Sequence, residues 1–175
     1  NAGMATFGRL RDADADRERL ELELNAVAVQ DLTLAVLPGM VERGSGALLV
    51  VGSSAGHQPM PGNATYSASK AFANSFYEAL HSELQGSGIS VTVLAPGPVR
   101  TPFVEASGMA HVESQLPAAV WVSAERCARE AIAGLEHNRR MVTPGAFAQA
   151  AMIGGRYTPR ALLLPLIRSS LSRLL

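Results

Sequence analysis

The apolar positions of the chain change their spacing several times along its length. From about Asp16 to Val41 they recur at helical intervals, through Leu20, Leu24, Val27, Asp31 and Leu34. Pro38-Gly39 lie near the end of this stretch, so it predicts one long helix. Ala47-Leu48-Leu49-Val50-Val51 is instead an unbroken apolar run after Gly44 and Gly46, as expected of a strand buried on both faces of a parallel sheet. A Gly/Pro-rich loop follows, from Gly52 to Asn63. Tyr66 to Leu84 restores the helical interval, with Phe72, Phe76 and Leu80 on one face and Gly86 and Gly88 to stop it. Ile89 to Ala95 predicts a second buried strand, cut off by Pro96-Gly97-Pro98. Residues from Pro98 to Val122 show no period and predict a mobile loop. Ser123 offers an N-cap, with Glu125 in the first turn, for a third helix to about His137. Arg140 to Thr143 predicts a short edge strand. Alternating helices and strands make an α/β chain, a doubly wound parallel sheet with right-handed crossovers. Residues 1–145 form one domain and 146–175 a helical extension.

Composition narrows the function classes. Hydrophobic residues make up 47% and charged residues 17%, a folded composition. Fifteen basic and fifteen acidic side chains cancel, which gives nucleic acid no basic surface to bind. The single cysteine, Cys127, excludes an internal disulfide and fits a reducing, cytoplasmic compartment, where it serves as a small buried hydrophobe. No unbroken apolar run reaches the length of a membrane span. All the basic residues except Lys70 are arginine, so Lys70 stands where arginine would not serve.

Tyr66 and Lys70 are four residues apart on a predicted helix and share a face. A lysine cation beside a phenol favours the phenolate and lowers the tyrosine pKa toward working pH, so the tyrosine can give or take a proton. Taken alone, such a pair is more often an ordinary surface pair. Ser53, however, ends the first strand, at the carboxyl edge where open α/β sheets hold ligands. Asn25 lies mid-helix, a mediocre place for asparagine. Pro96-Gly97-Pro98-Val99-Arg100-Thr101 follows the second strand, again at its carboxyl end.

Asn1-Ala2-Gly3, Asn25, Ser53, Tyr66-Ser67-Ala68-Ser69-Lys70 and Pro96 to Thr101 together resemble the ordered landmarks of the short-chain dehydrogenase/reductase family. Their spacings match too: 24 residues from Asn1 to Asn25, 28 on to Ser53, 13 to Tyr66 and 4 to Lys70. The resemblance implies a three-layer αβα Rossmann-like fold and an oxidoreductase that interconverts a carbonyl and an alcohol with NADP or NAD. It implies Tyr66 as general acid or base, Lys70 as the group that tunes it and holds the nicotinamide ribose, and Ser53 as donor to the substrate oxygen. It implies that Asn25 holds a water in a proton relay through Lys70. Asn1, Ala2 and Gly3 would pass beside the adenosine side of the cofactor, and Pro96, Gly97, Val99 and Thr101 beside the nicotinamide. The Ser54 hydroxyl is the competing serine, at the wrong offset. The family's glycine-rich pyrophosphate turn does not occur, so the N-terminal half of the sheet is expected to lie outside this chain. A non-enzymatic relic of the family is the rival reading. A sugar-nucleotide epimerase, which shares the Tyr-x-x-x-Lys spacing, is disfavoured by the Pro96–Thr101 run.

Weaker patterns remain. Asp12, Asp14, Asp16 and Glu23 fall at calcium-loop spacing, but Arg17 stands where glycine is required, so helix-start acids are the better reading. His57, His81, His111 and His137 show no metal-ligand spacing. Pro102, Phe103, Val104, Met109, Leu116, Val120 and Trp121 either line a chamber for an acyl, steroid or lipid-like substrate or pack their loop down. The leucine-rich tail from Ala161 to Leu175 packs on its own subunit, on a partner or on a membrane surface, with protein the preferred cover. The Asn25 and Tyr66 helices are apolar on more than one face and predict a homodimer or homotetramer.

Overall fold

The structure, a computed structural model, describes residues 2–107 and 116–171. Asn1, Met109 and His111 lie outside the described residues.

Helix α1 runs unbroken over Ala15–Arg43. Asp14 caps it, its carboxylate accepting from the Asp16 and Arg17 amides at 2.9 and 3.3 Å. That gives Asp14, one of the acids at calcium-loop spacing, its role as a helix cap. The helix runs past Pro38, which is exposed, and ends at Gly44 in the left-handed conformation (φ 64°). Its length, and a mean hydropathy of 1.5 over one 18-residue window, reach those of a membrane-crossing helix, which a search for unbroken apolar runs does not reveal. Its middle carries one π-helical turn, Glu23–Val27, closed by Ala28 N–H to the Glu23 carbonyl.

Strands β1 (Gly46–Val51), β2 (Ile89–Leu94) and β5 (Met141–Val142) form a parallel sheet in the order β1-β2-β5. Its register pairs Gly46 with Ile89 and Val51 with Leu94, so the carboxyl ends of β1 and β2 finish together. Helix α2 (Ala64–Glu83) covers one face. Ala73, Tyr77 and Leu80 pack there on Leu48, Val50, Val91 and Val93. Helix α4 (Ala124–Glu136), capped by Ser123 as expected, covers the other with Cys127 and Ala131. The three layers match the Rossmann-like expectation. One detail differs: β1 is not buried on both faces. Leu49 and Val51 are half-buried and Ala47 is exposed, because α4 lies mainly over β2.

The region expected to be a loop without structure contains short elements. Strand β3 (Val99–Arg100) pairs in parallel with β4 (Val122–Ser123), and a one-turn helix α3 (Phe103–Ala106) follows β3. Two-residue strands are too short to leave a period in the sequence. Beyond β5, helix α5 (Ala146–Tyr157) seats Ala148 against Gly97, where a Cβ on the glycine would come within 2.9 Å of the alanine Cβ. Helix α6 (Arg160–Leu171) turns Leu163 inward and leaves Leu162, Leu164 and Leu166 exposed.

The long helix departs most from its sequence pattern. Leu20, Val27 and Leu34, read as its inward stripe, are exposed, while Glu21, Asn25, Ala26 and Thr33 are buried. The polar residues find partners inside: Thr33 Oγ1 donates to the Val29 carbonyl at 2.7 Å and meets the Tyr77 hydroxyl at 2.9 Å.

Candidate active site

The site forms where β1 and β2 end. After Val51 the chain passes Gly52 and reaches Ser53, which is extended and caps a short 3₁₀ turn, Ser54–His57, through Oγ accepting from Ala55 N–H at 3.1 Å. Ser54 N–H donates to the Pro96 carbonyl at 2.9 Å, tying the loop after β1 to the turn after β2. The Ser54 backbone is thus bound into the scaffold.

Helix α2 delivers the two residues four apart. Ser53 lies close enough to the Tyr66 hydroxyl to draw its pKa down. Lys70 is buried; its Nζ donates to the Val51 carbonyl at 2.9 Å and lies 5.7 Å from the centre of the Tyr66 ring. Asn25 is buried as well. Its Oδ1 accepts from Met4 N–H at 3.1 Å, and its Nδ2 donates to the Met4 carbonyl at 2.8 Å and to Ser69 Oγ at 3.2 Å. Ser69 Oγ in turn donates to the Tyr66 carbonyl at 2.9 Å. The amide therefore pins the Ala2–Thr6 segment to the first turns of the helix that carries Tyr66.

The electrostatics differ from the expectation in one respect. Burial pushes the Tyr66 hydroxyl pKa up, opposed by Ser53 and reinforced by the charge of Glu21. Burial also drives Lys70 down to about 8, against the pull of Glu21, because the ammonium has left water for a nearly closed pocket. Desolvation outweighs the attraction that the spacing of Tyr66 and Lys70 implied.

The expected cofactor contacts lie at the same edge. A Cβ on Gly3 would stand 3.2 Å from Asn25 Oδ1 and 3.7 Å from Lys70 Nζ, so the backbone there passes directly beside the buried lysine. Ala2 and Thr101 are exposed; Pro96, Gly97 and Val99 are half-buried. Lys70 has three ammonium hydrogens and gives one to Val51, which leaves donors for a diol such as a ribose. The residues present fit the nicotinamide end of a dinucleotide. The Phe103 ring centre lies 6.2 Å from that of Tyr66, and Arg100 lies 5.7 Å from the Trp121 ring.

Two residues with a part in this arrangement escaped the sequence reading. Asn74 is buried and clamps Ser53 by its backbone: its Oδ1 accepts from Ser53 N–H at 3.3 Å and its Nδ2 donates to the Ser53 carbonyl at 2.9 Å. A Cβ on Gly56 would meet the Lys70 carbonyl oxygen at 2.7 Å, so only glycine lets the 3₁₀ turn lie this close to α2. Asn74 follows Tyr66 and Lys70 at the same four-residue step, a signal the sequence did hold. Glu21 is the second. It is wholly buried one helical step before Asn25, and its Oε2 accepts from Thr6 N–H at 2.7 Å.

Comparison with known proteins follows the same lines. The model of the short chain dehydrogenases matches residues 1–111. Sulfoacetaldehyde reductase 2 of Chromohalobacter salexigens is 41% identical over 105 residues, which cover 59% of this chain and 42% of that protein. A short-chain dehydrogenase from Sphingobium yanoikuyae in complex with NADPH superposes with a TM-score of 0.76 at 30% identity, over 93% of this chain and 62% of that one. A short chain dehydrogenase from Burkholderia cenocepacia in complex with NADP gives 0.77 at 26% identity, over 95% and 68%. The chain spans less than half the length of the curated relatives it matches.

Proposed function

The chain belongs to the short chain dehydrogenase family, and we propose that it is the catalytic part of an oxidoreductase that interconverts a carbonyl compound and its alcohol with NADP or NAD. The observation that carries this reading is Lys70, buried beside the Tyr66 ring and bonded to the Val51 carbonyl, with Ser53 close to Tyr66, all at the carboxyl ends of β1 and β2. Relatives of this chain bind NADP and NADPH, and one reduces an aldehyde, as their names state.

In this reading the bound nicotinamide supplies or accepts the hydride. The chain's own residues handle the oxygen and its proton. Ser53 Oγ–H donates to the substrate oxygen, where negative charge grows as the carbonyl is reduced. Tyr66, held protonated by burial, gives its proton to that oxygen. Its upward pKa suits reduction better than oxidation, since the phenol is the stable form. Lys70 would hold the ribose of the bound cofactor, and its ammonium would keep a proton at hand for Tyr66. Asn25 fixes the Gly3 segment against Lys70 and would hold a water that completes a path for protons. Asn1, Ala2 and Gly3 on one side and Pro96, Gly97, Val99 and Thr101 on the other would flank the cofactor. The substrate we favour is apolar, an acyl, steroid or lipid-like carbonyl compound, because the Phe103 ring lies beside Tyr66. The free, buried Cys127 keeps a cytoplasmic setting within the proposal.

Titration of the complete protein with NADPH and NADH, followed by nicotinamide fluorescence, tests the reading. Saturable binding of one or both supports it; no binding of either supports the relic instead.

A further inference from the structure

His57 is a half-buried, titratable side chain that the mechanism above does not use. It ends the 3₁₀ turn that Ser53 caps, and its Nε2 lies 3.4 Å from Nδ2 of the buried Asn74. The direction of that contact follows from Ser53. The Ser53 N–H can only donate, so the Asn74 atom facing it at 3.3 Å is the carbonyl Oδ1. The Ser53 carbonyl can only accept, so the atom facing it at 2.9 Å is the amide Nδ2. With its orientation fixed twice over, Asn74 has the second hydrogen of Nδ2 to offer His57. His57 Nε2 must then accept, which requires a neutral ring with its hydrogen on Nδ1. A protonated ring would set one N–H against another.

The turn is closely packed on both sides. A Cβ on Gly56 would stand 2.6 Å from Asn74 Nδ2, and a Cβ on Gly155 of α5 would come within 3.0 Å of the His57 carbonyl. Arg160 Nη2 donates to that carbonyl at 3.3 Å, while its Nη1 donates to the Gly155 carbonyl at 2.9 Å. The charges that act on the ring come from Glu78 of α2, Arg156 of α5 and Arg140 just before β5. These three are joined, with Arg140 at 2.5 Å and Arg156 at 3.3 Å from the same Glu78 oxygen. Tyr66 and Lys70, also on α2, turn their polar ends to Ser53 and to the Val51 carbonyl. Burial holds the imidazole below its ordinary 6.5; Glu78 opposes this and the two arginines add to it. The direction agrees with the neutral ring that the hydrogen bonds require.

We propose that His57 is a positioning residue for Ser53: its neutral imidazole accepts from Asn74 and completes the clamp that aims the serine at the substrate oxygen, and protonation of the ring opens that clamp. The inference rests on the role proposed for Ser53, but its test reads the histidine directly. Once His57 takes a proton, Asn74 can keep both bonds to Ser53 only by facing a like N–H. The ring then swings away or the amide loosens, and in either case Ser53 is held less firmly and reduction slows.

Nitrogen-15 spectra of the complete protein, labelled in its histidine rings, report the tautomer. The His57 signals are assigned by their disappearance in His57→Gln. At neutral pH His57 should carry its hydrogen on Nδ1, the minority form of a free imidazole, and should take its second proton at a midpoint below 6.5. In the parent, kcat/KM for reduction should fall toward acid pH with that same midpoint. His57→Leu should lower kcat/KM at neutral pH about 10-fold, with little change in the dissociation constant for NADPH. His57→Gln, whose Oε1 accepts from Asn74 but takes no proton, should recover most of that loss and lack the acid limb. A hydrogen on Nε2 in the parent at neutral pH, or an acid limb unchanged in His57→Gln, overturns the inference and leaves the proposed reaction standing. The ring spectrum of the parent needs neither turnover nor a folded variant, so it decides the inference separately from the proposed reaction.

Discussion

Lys70 Nζ donates to the Val51 carbonyl across 2.9 Å, at the last residue of β1. One bond thus joins the chain's only lysine to the strand end from which Ser53 follows two residues later. The helix that carries Tyr66 and the strand that carries Ser53 are locked together by the residue between them in function. A lysine rather than an arginine makes this possible, because a compact ammonium fits beneath the tyrosine ring where a guanidinium fork would not.

Lys70→Arg should therefore cost activity even though the charge is kept. The expected loss in kcat is about 10²-fold or more, read from steady-state reduction with NADPH. A variant as active as the parent would reduce the lone lysine to a compositional accident.

The depressed Lys70 pKa also predicts how stability varies with pH. Below about 8 the lysine is protonated both folded and unfolded, and the cost of burying the charge is fully present. Between about 8 and the ordinary value of 10.5 the unfolded chain binds more protons, so stability rises with pH. The gap between the two values corresponds to about 3 kcal/mol. Urea unfolding of the parent and of Lys70→Met at pH 7 and pH 10.5 checks this. The parent should gain about 3 kcal/mol relative to the variant; parallel behaviour would show that Lys70 titrates normally.

Asn74→Leu should loosen Ser53. Both backbone groups of Ser53 lose their partner in a buried place, at about 1–3 kcal/mol each. Thermal unfolding should show the loss, and kcat should fall with it while the dissociation constant for NADPH changes little. A stable, fully active Asn74→Leu would mean that Ser53 is held by the sheet alone.

The architecture was legible in the sequence because its long elements carry strong periods. The unbroken run at Ala47–Val51, the helix through Tyr66 and Lys70, and the Ser123 cap all appear near the expected places. The orientation of the long helix was not. Apolar residues at helical spacing show that a face is covered, but not which partner covers it. In α1 the polar Glu21, Asn25 and Thr33 face the protein while Leu20, Leu22, Leu32 and Leu34 face outward. Glu21 stayed hidden for a related reason. In sequence it is one acid among several near a helix start, and only the passage of Thr6 alongside it makes it a buried acid. Asn74 needed the fold to bring Ser53 beside it.

Leu20, Leu32, Leu34, Val36 and Val41 of α1 and Phe72 of α2 are exposed. We expect the complete protein to cover them by pairing these helices across a two-fold axis, as a homodimer or homotetramer. Leu32→Arg should then lower the mass found by light scattering at micromolar concentration. A parent protein that is already monomeric would contradict the expectation.

Tyr66→Phe bears most directly on the central claim. It removes one oxygen, keeps the ring beside Phe103, and leaves Lys70 its bond to Val51. The complete protein and the variant would be compared for NADPH binding by fluorescence and for carbonyl reduction by the loss of NADPH absorbance. The account predicts binding within a few-fold of the parent and a fall in kcat of about 10³-fold or more; a Tyr66→Phe enzyme that binds NADPH and turns over at the parental rate would contradict it.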